Sequence, residues 1–430
     1  MQKNHGIGAL FALLCATASL NAPAQAATAA TQTGYPGEQL KLVVILARHG
    51  VRSPTWEQER LNSYSALPWP KWDVPPGNLT ARGYKLVQQF GSFDRTMFAQ
   101  EGLLSANGCA DASKTYIWAD TNQRTIASGK AFADGLFPSC PPEVFGLKQG
   151  ENDPLFHPVT KGTKTADSAA SSPGVFTRAN LQSDSSRYDL LSEMQNVLRG
   201  CDRKAPCTPA HPPQLPLLAA SAPYAAGNEE GALALASSFS EDFLLEYADG
   251  MPMDQVGWGK VDEQQLRRFL ALHSDYFDQV HRTPALARAE ASNLLAHVTN
   301  TLEQEVDKKP VTDAVGPLGA KLVVLSGHDT NLAGIAALLG VHWSLDGRND
   351  DTPPGTELAF ELWKKSDGRY LVRVSVAMQT LRQLREMPEL TIEAPPAREK
   401  LLVSGCDAVT RTCEWERFRM KAIGTTSVNH

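Results

Sequence analysis

The sequence is low in charge and has no basic excess. Its 430 residues include 41 Lys and Arg against 47 Asp and Glu, which gives a formal net charge of −6. A protein that neutralises a phosphate backbone needs clustered Lys and Arg, and the chain has no such cluster, so we expect no nucleic-acid partner. Hydrophobic residues make up 42% of the chain, enough for a sizeable core, which excludes a disordered or collagen-like protein.

The chain also lacks a hydrophobic run long enough to cross a bilayer, which takes about 18 apolar residues. A shorter apolar stretch at residues 7–20 follows Lys3 and precedes the small-residue tripeptide AQA at residues 24–26. This order predicts a signal peptide that is cleaved near Ala26, leaving an exported chain with no membrane association. A buried N-terminal helix is the alternative, but the Ala/Thr tract that follows has no amphipathic period.

Cysteine is scarce, and its number is odd. One of the seven cysteines, Cys15, lies in the predicted signal peptide, so six remain in the mature chain. In an exported protein six cysteines indicate disulfides, although they allow 15 pairings. A metal site is the alternative, but the chain has no CxxC and no His beside a Cys. Proximity joins two pairs and leaves a third, giving Cys201–Cys207, Cys406–Cys413 and Cys109–Cys140.

Strand and helix patterns alternate at both ends of the chain. Apolar, β-branched runs typical of buried strands occupy residues 42–47, 115–119 and 322–325. Two more strands, joined by a Ser-Asp-Gly turn, fit residues 357–363 and 370–378. One helix fits residues 81 to about 104, with Thr80 as its N-cap. Further helices fit residues 122–137, 186–198, 233–247, 263–281, 284–305 and 332–339.

The middle of the chain is rich in helix signals and has no convincing strand. We therefore expect an α/β domain that is split in sequence, formed by residues 38–158 and 283–427. A mainly helical domain, residues 159–282, interrupts it, and residues 1–26 are the signal peptide.

The strongest chemical signal is the segment RHGVRSPT at residues 48–55, which follows the first buried strand. Ligands of open α/β sheets bind beyond the carboxyl ends of strands, where this segment falls. Arg48 and Arg52 bracket His49, and the planar guanidinium suits bidentate contact with phosphate oxygens. The positive charges should lower the pKa of His49 and keep its imidazole neutral and nucleophilic. The alternative is a basic turn with a structural histidine.

A second signal, SGHDTN at residues 326–331, follows another buried strand and opens a helix. Asp329 or Thr330 could be only a helix N-cap. Combined with the first segment, however, it supplies a second phosphate ligand, a general acid and a helix N-terminus that favours anions. Arg124 follows the buried strand predicted at residues 115–119 and offers one more guanidinium, although a surface arginine is the default interpretation.

These segments resemble the histidine acid phosphatases, in particular the bacterial periplasmic branch that contains phytases and glucose-1-phosphatases. The resemblance covers nearly all of residues 38–415. It rests on six segments in the family's order, RHGVRSPT, ADTNQRT (119–125), NDPLF (152–156), GWG (257–259), GHDTN (327–331) and DTPPG (351–355).

The resemblance implies a phosphoglycerate-mutase-like, mixed-sheet α/β domain with a mainly helical inserted domain. It also implies a periplasmic location, a small-molecule phosphomonoester as substrate, no cofactor and no metal, and it supports all three cysteine pairs. We expect the protein to be a monomer.

The resemblance further implies a two-step hydrolysis. His49 attacks phosphorus and forms a phosphohistidine, and Asp329 protonates the leaving oxygen. An acidic optimum would follow, since protonation of His49 should slow the reaction at low pH and deprotonation of Asp329 at high pH. The phosphoryl oxygens would be held by Arg48, Arg52, Arg124 and His328, with the hydroxyl of Thr55 near the phosphate.

The motifs do not agree on which substrate the protein prefers. The RHGVRSPT and HDTN segments are similar to the phytases, but Trp56 stands where those phytases often carry a lysine. An aromatic wall at Trp56 and the side chain of Met253 would suit a sugar ring at least as well, although Trp56 could equally be a packing residue. We therefore expect inositol-phosphate and sugar-phosphate substrates, with a glucose-1-phosphatase of little phytase activity as the alternative.

Three other classes stay open at this point. A phosphoglycerate-mutase-like transferase shares the strand-to-RHG start, but the signal peptide, the cysteines and HDTN oppose it. A non-catalytic phosphosugar-binding protein would keep the pocket, but His49 and Asp329 are both present. A metallophosphatase is the weakest alternative, and unchanged activity in EDTA would exclude it.

Overall fold

The computed structural model describes residues 37–158, 185–201 and 231–426. These residues belong to one compact unit, Gln32–His430. The predicted signal peptide, residues 1–26, and Cys207 lie outside the described residues.

A mixed β-sheet forms the centre of the fold. Eight strands pair in the order β10-β8-β7-β1-β4-β2-β3, with β9 added beside β8, and β5 and β6 form a separate two-stranded sheet. The ten strands of the described residues are β1 (Glu38–Arg48), β2 (Thr115–Ala119), β3 (Val144–Phe145), β4 (Leu322–Gly327), β5 (Ser344–Leu345), β6 (Arg348–Asn349), β7 (Glu357–Lys365), β8 (Tyr370–Met378), β9 (Ala397–Leu401) and β10 (Cys413–Glu414).

The central strand β1 has a parallel neighbour on one side and an antiparallel neighbour on the other. Its residue Arg48 pairs with Gly327 at the end of β4, which is parallel, and Ala47 pairs with Glu357 of the antiparallel β7. Strand β2 runs parallel to β4, with Ala119 opposite Ser326. The carboxyl ends of β1, β4 and β2 therefore meet at one edge of the sheet.

Helices cover the sheet and fill the middle of the described chain. They are α1 (Gln58–Asn62), α2 (Ala81–Gln100), α3 (Gln123–Leu136), α4 (Ser185–Leu198), α5 (Ala232–Ala248), α6 (Glu263–Gln279), α7 (Pro284–Asp307), α8 (Asp329–Leu339), α9 (Leu381–Glu386) and α10 (Trp415–Thr426). Thr80 caps α2, since its side chain accepts the Gly83 N–H. The predicted extension of α2 to residue 104 is wrong, because Gly102 adopts φ 73° and the chain turns there.

The alternating side chains of β1 explain its continuous apolar run. Leu42 and Val44 pack in a cluster with α7 and α8 on one face of the sheet. Val43 and Ile45 pack in another cluster with α2 and α3 on the opposite face. A strand that is covered on both faces needs apolar residues at every position. The predicted mixed-sheet α/β fold is confirmed.

A third apolar cluster joins the helices of the middle region. Leu191 of α4, Phe239 of α5 and Phe269 of α6 are buried together. Val51 and Trp69, which follow β1, belong to the same cluster. The helices therefore pack directly over the segment that follows β1. The predicted boundaries of the helical domain, residues 159–282, stay a prediction.

Two of the predicted disulfides are confirmed. Cys109 bonds to Cys140, with Cα atoms 6.0 Å apart, and Cys406 bonds to Cys413, with Cα atoms 4.9 Å apart. Cys201 is disulfide-bonded as well. Within the described ranges, every helix is too short or too polar to cross a bilayer.

Candidate active site

The sheet edge brings the sequence segments together. The segment after β1 starts at His49, whose N–H donates to the Gly327 carbonyl at 3.0 Å. The N–H of Asp120, just after β2, donates to the Ser326 carbonyl at 3.0 Å. RHGVRSPT, GHDTN and ADTNQRT, separate in sequence, therefore face one another at the carboxyl ends of three adjacent strands.

His49 is a buried, neutral imidazole. Only 2% of the residue is exposed, and its Nδ1–H donates to the Gly50 carbonyl at 2.9 Å, so the lone pair lies on Nε2. Burial lowers the pKa of His49 well below its usual value, and the positive charges of Arg124, Arg48 and Arg52 lower it further. This combination supplies a nucleophile that stays unprotonated in acid.

Gly50 lets the histidine segment pack tightly against α2. A Cβ at this position would come within 2.7 Å of the Val87 side chain and 2.9 Å of the Gly83 carbonyl. Any larger residue would push His49 away from the neighbouring strand ends. The glycine of the motif is thus needed for packing, in addition to any approach to a ligand.

Three guanidinium groups surround His49. Arg48 and Arg52 are buried, and Arg124 is partly buried at the start of α3. Burial, followed by the charge of Arg52, lowers the pKa of Arg124 to about 10. Within the described residues, the Nε atoms of all three have no hydrogen-bond partner. Buried Nε–H groups of arginine that lack an acceptor are suited to an anion.

Glu241 is a site residue that the sequence reasoning missed. It lies on α5, contacts Arg48 through a short ion pair and lies 3.0 Å from the Arg52 Nη2. Burial favours its protonated form, but Arg52 and Arg48 hold the pKa of Glu241 below its usual value. Its carboxylate therefore forms ion pairs with the two arginines that a bound anion would contact. A usable signal was an acidic pair, Glu241 and Asp242, inside a helix that is mostly apolar.

Asp329 is the first residue of α8, and the N-cap position belongs to His328. The N-cap alternative for Asp329 and Thr330 is therefore wrong. The Asp329 Oδ2 lies 2.8 Å from the Arg48 Nη2. Burial raises the pKa of Asp329, but Arg48 and then His273 outweigh burial and hold it well below the usual range. The carboxyl is thus ionised in the substrate-free protein.

His328 is held by a carboxylate that the sequence analysis had given no role. Its Nε2–H donates to the Asp120 Oδ2 at 2.6 Å, and Asp120 is fully buried. Burial lowers the pKa of His328, an effect that the hydrogen bond to Asp120 opposes. The His328 ring lies 5.6 Å from the His49 ring. Contact between His328 and a phosphoryl oxygen therefore requires that its N–H be shared with, or leave, Asp120.

The remaining predicted pocket residues have more ordinary surroundings. Thr55 is exposed. Its Cγ2 and the Arg124 Nη1 both lie beside Gly77, so the side chains of Thr55 and Arg124 are close to each other. Trp56 packs against Tyr64 and Phe239, with ring centroids 5.6 and 6.1 Å apart. These contacts favour the packing alternative for Trp56.

Met253 lies between α5 and α6 and is 41% exposed. Its place in a substrate pocket stays a prediction.

Known proteins match the part of the chain that carries this site. Residues 39–377 match the model of the histidine phosphatase superfamily, branch 2. The chain is 34% identical to the phytase AppA of Escherichia coli K12 over 389 residues, which cover 86% of this chain and 88% of the relative. It is 31% identical to a glucose-1-phosphatase of Salmonella typhimurium over 392 residues, covering 87% and 89%.

Solved structures give the same result. The apo form of Hafnia alvei phytase matches with a TM-score of 0.77 and 33% identity, covering 92% of this chain and 98% of that one. The phytase of Klebsiella sp. ASR1 matches with a TM-score of 0.74 and 25% identity, covering 91% and 96%.

These matches confirm the expected histidine acid phosphatase, an enzyme that hydrolyses phosphomonoesters. The strand ends that carry His49 and His328 both fall inside the matched residues. The chain belongs to branch 2 of the histidine phosphatase superfamily.

Proposed function

We propose that this protein is a periplasmic acid phosphatase that acts on inositol phosphates and sugar phosphates through a phosphohistidine on His49. The observation that carries the proposal is the neutral, buried imidazole of His49 between Arg48, Arg52 and Arg124. Such an arrangement places a nucleophile where an anion is held, which positions the reacting atoms and neutralises charge without a metal.

In the first step the Nε2 lone pair of His49 forms a bond to phosphorus, and the ester P–O bond breaks. The leaving oxygen takes a proton from the Asp329 carboxyl and departs as an alcohol. In the second step the Asp329 carboxylate takes a proton from water, the water oxygen bonds to phosphorus, the P–N bond breaks, and inorganic phosphate leaves. Arg48, Arg52, Arg124 and His328 bind the phosphoryl oxygens, with Thr55 nearby.

The state of Asp329 sets a condition on this mechanism. Arg48 keeps its carboxyl ionised in the substrate-free protein. A phosphate dianion that takes Arg48 as its own counterion removes that stabilisation and adds negative charge beside Asp329. Both effects raise the pKa of the carboxyl. The substrate thus prepares its own proton donor, and acidic conditions favour the protonated form.

Entry of a phosphate also displaces Glu241. The carboxylate of Glu241 pairs with Arg48 and Arg52, the same groups that the phosphate requires. Two anions cannot share these arginines without strong repulsion. Glu241 therefore acts as a stand-in anion in the resting protein, which a phosphate group must displace in order to bind.

The relatives support both substrate classes, since they include a phytase and glucose-1-phosphatases. We test the proposal by measuring kcat/KM on phytate, glucose 1-phosphate and p-nitrophenyl phosphate in parallel. We expect hydrolysis of all three. A ratio strongly in favour of glucose 1-phosphate supports the alternative, a sugar phosphatase with little phytase activity. Binding of phosphate without hydrolysis of any of the three contradicts the enzyme.

The disulfides and the predicted signal peptide support the proposed periplasmic location. Cys109–Cys140 and Cys406–Cys413 are bonds that persist in oxidising compartments such as the periplasm. We expect the mature protein to begin near residue 27 and to fractionate with the periplasm as a monomer. N-terminal sequencing of the periplasmic fraction and size-exclusion chromatography test this, and an intact N-terminus in the cytoplasm contradicts it.

A further inference from the structure

Two histidines point the same ring atom at one carboxylate. The Nε2 atoms of His328 and His157 lie 2.6 and 3.2 Å from the Asp120 Oδ2. One ligand atom from each of the three residues falls within 4.8 Å of the others. His157 follows the NDPLF segment and had no role in the sequence analysis. The three groups thus converge on one point beside the phosphate site.

The donor set fits a transition-metal ion. Two imidazole nitrogens and one carboxylate oxygen are ligands that Zn²⁺ accepts, at about 2.0–2.2 Å, in a four-coordinate site with one open position. Ligand atoms around such an ion lie about 3 Å apart, so the observed spacing needs only small side-chain shifts. The second oxygen of Asp120, Oδ1, is buried and has no hydrogen-bond partner among the described residues.

The surroundings hold the ligands in place and leave a path for the ion. The Asn122 amide donates to the Asp120 Oδ2 at 2.7 Å, and the His157 N–H donates to the Asp153 carbonyl at 2.8 Å. The side chain of His157 is 39% exposed, whereas that of Asp120 is fully buried. An ion can therefore reach the cluster from the His157 side.

We propose that Asp120, His157 and His328 bind a divalent transition-metal ion, with Zn²⁺ as the best fit, and that the bound ion inhibits the phosphatase. The ion takes the place of the hydrogen on each Nε2, and that hydrogen moves to Nδ1 of the same ring or is released to solvent. Metal binding itself does not depend on the proposed function, whereas the inhibition rests on it.

Inhibition follows from the double use of His328. Once its Nε2 is a metal ligand, it has no hydrogen to donate to a phosphoryl oxygen. Its ring is also fixed 5.6 Å from the His49 ring, in the position that it has without substrate. The ion thus removes one phosphate ligand while leaving the nucleophile in place.

Binding is tested on the full-length mature protein after metal removal with EDTA and dialysis. Isothermal titration with ZnCl₂ should give one site, and Co²⁺ in its place should give the visible absorption of a four-coordinate nitrogen and oxygen site. His157→Asn should weaken Zn²⁺ binding at least tenfold, since loss of even an outer partner of a metal ligand costs about 10–100-fold.

The matched control is His342→Asn. His342 also pairs with an aspartate, its Nδ1 lying 2.6 Å from the Asp350 Oδ2, but its side chain is 73% exposed. This variant should bind Zn²⁺ like the wild type. Equal affinity of wild type and His157→Asn, or an equal loss in both variants, overturns the proposed site.

Inhibition is measured with p-nitrophenyl phosphate over a range of ZnCl₂ concentrations. The concentration that halves activity should rise at least tenfold in His157→Asn and stay unchanged in His342→Asn. If Zn²⁺ binds at His157 but activity does not fall, the site stands and the inhibitory part of the proposal fails. If the protein hydrolyses no phosphomonoester at all, the proposed function fails while the titration still decides the site.

Discussion

The ends of β1 and β4 lie side by side and each carries a histidine, but the two histidines have opposite surroundings. His49, after β1, has positive charges around it and a lone pair free on Nε2. His328, after β4, gives its Nε2–H to the carboxylate of Asp120. A free lone pair among cations suits a nucleophile, and an imidazole held by a carboxylate suits a phosphate ligand. The neighbouring charges, more than the residue type, separate the two roles.

The comparison predicts the largest loss at the end of β1. In His49→Ala, kcat should fall by at least about 10⁴-fold, because the substitution removes the Nε2 lone pair that attacks phosphorus. Activity on p-nitrophenyl phosphate and rapid-quench labelling of the phosphoenzyme measure it, with circular dichroism as the control for folding. Residual activity within about a hundredfold of wild type would place the nucleophile elsewhere.

At the end of β4, the Asp329 carboxyl should matter according to the leaving group. Asp329→Asn should lower kcat on an alkyl phosphate by about 10²–10⁴-fold, because an alkoxide needs a proton to leave. On p-nitrophenyl phosphate the loss should be about tenfold or less, since nitrophenolate leaves without a proton. Equal losses on both substrates would contradict the proton-donor role.

Removal of the other histidine should cost less than removal of His49. In His328→Ala, kcat should fall by about 10²–10³-fold, the usual effect of losing one donor to a transition-state oxygen. The phosphohistidine should still form and can be trapped in a rapid-quench experiment. Absence of a trapped intermediate in this variant, with one present in the wild type, would break the division of roles between the two strand ends.

The charge of Asp120 should also affect the alkaline side of the pH profile, which the deprotonation of Asp329 limits. Burial lowers the pKa of His328, and the Asp120 carboxylate raises it. Without that charge His328 is protonated only at lower pH, so in Asp120→Asn the alkaline limb of kcat/KM should shift toward lower pH. The maximal rate should fall about tenfold. An unchanged limb would show that the protonation of His328 does not contribute to the alkaline limb.

The smallest effect concerns Glu241, the anion that pairs with Arg48 and Arg52. Glu241→Gln should tighten inhibition by inorganic phosphate at least about fivefold, because the competing charge is gone. The matched control is Glu263→Gln, an acid of α6 that pairs with Arg267 away from the site. Weaker phosphate inhibition in Glu241→Gln would mean that the carboxylate helps to bind phosphate.

The sequence was sufficient wherever a local pattern carries the information. Strand β1 could be predicted from its apolar run, and the segments after β1 and β4 from their place at strand ends. Strand β9, Ala397–Leu401, could not, because its sequence AREKL is polar and the strand lies at the side of the sheet. Short pairings such as β5 with β6 carry too few residues for a pattern.

The site was predictable only in part for a similar reason. Glu241 reaches Arg48 from a helix that is remote in sequence, and its own neighbourhood resembles a buried helix. Asp120 and His157 were visible in the sequence, but their shared contact with His328 depends on three separate segments meeting. Only the folded chain reveals which carboxylate neutralises which cation, and this pairing decides the protonation state of Asp329.

The central position of β1 also has a consequence for folding kinetics. Val43 pairs with Leu322, and Ala47 pairs with Glu357, so both neighbours of the first strand are made near the end of synthesis. Contacts between residues so distant in sequence form slowly, because the long loop must close first. Until then the apolar run of β1 has no partner and is exposed to aggregation. Chaperones that bind the nascent chain should therefore raise the yield of folded protein more than they would for a protein whose first strand pairs with a neighbour in sequence.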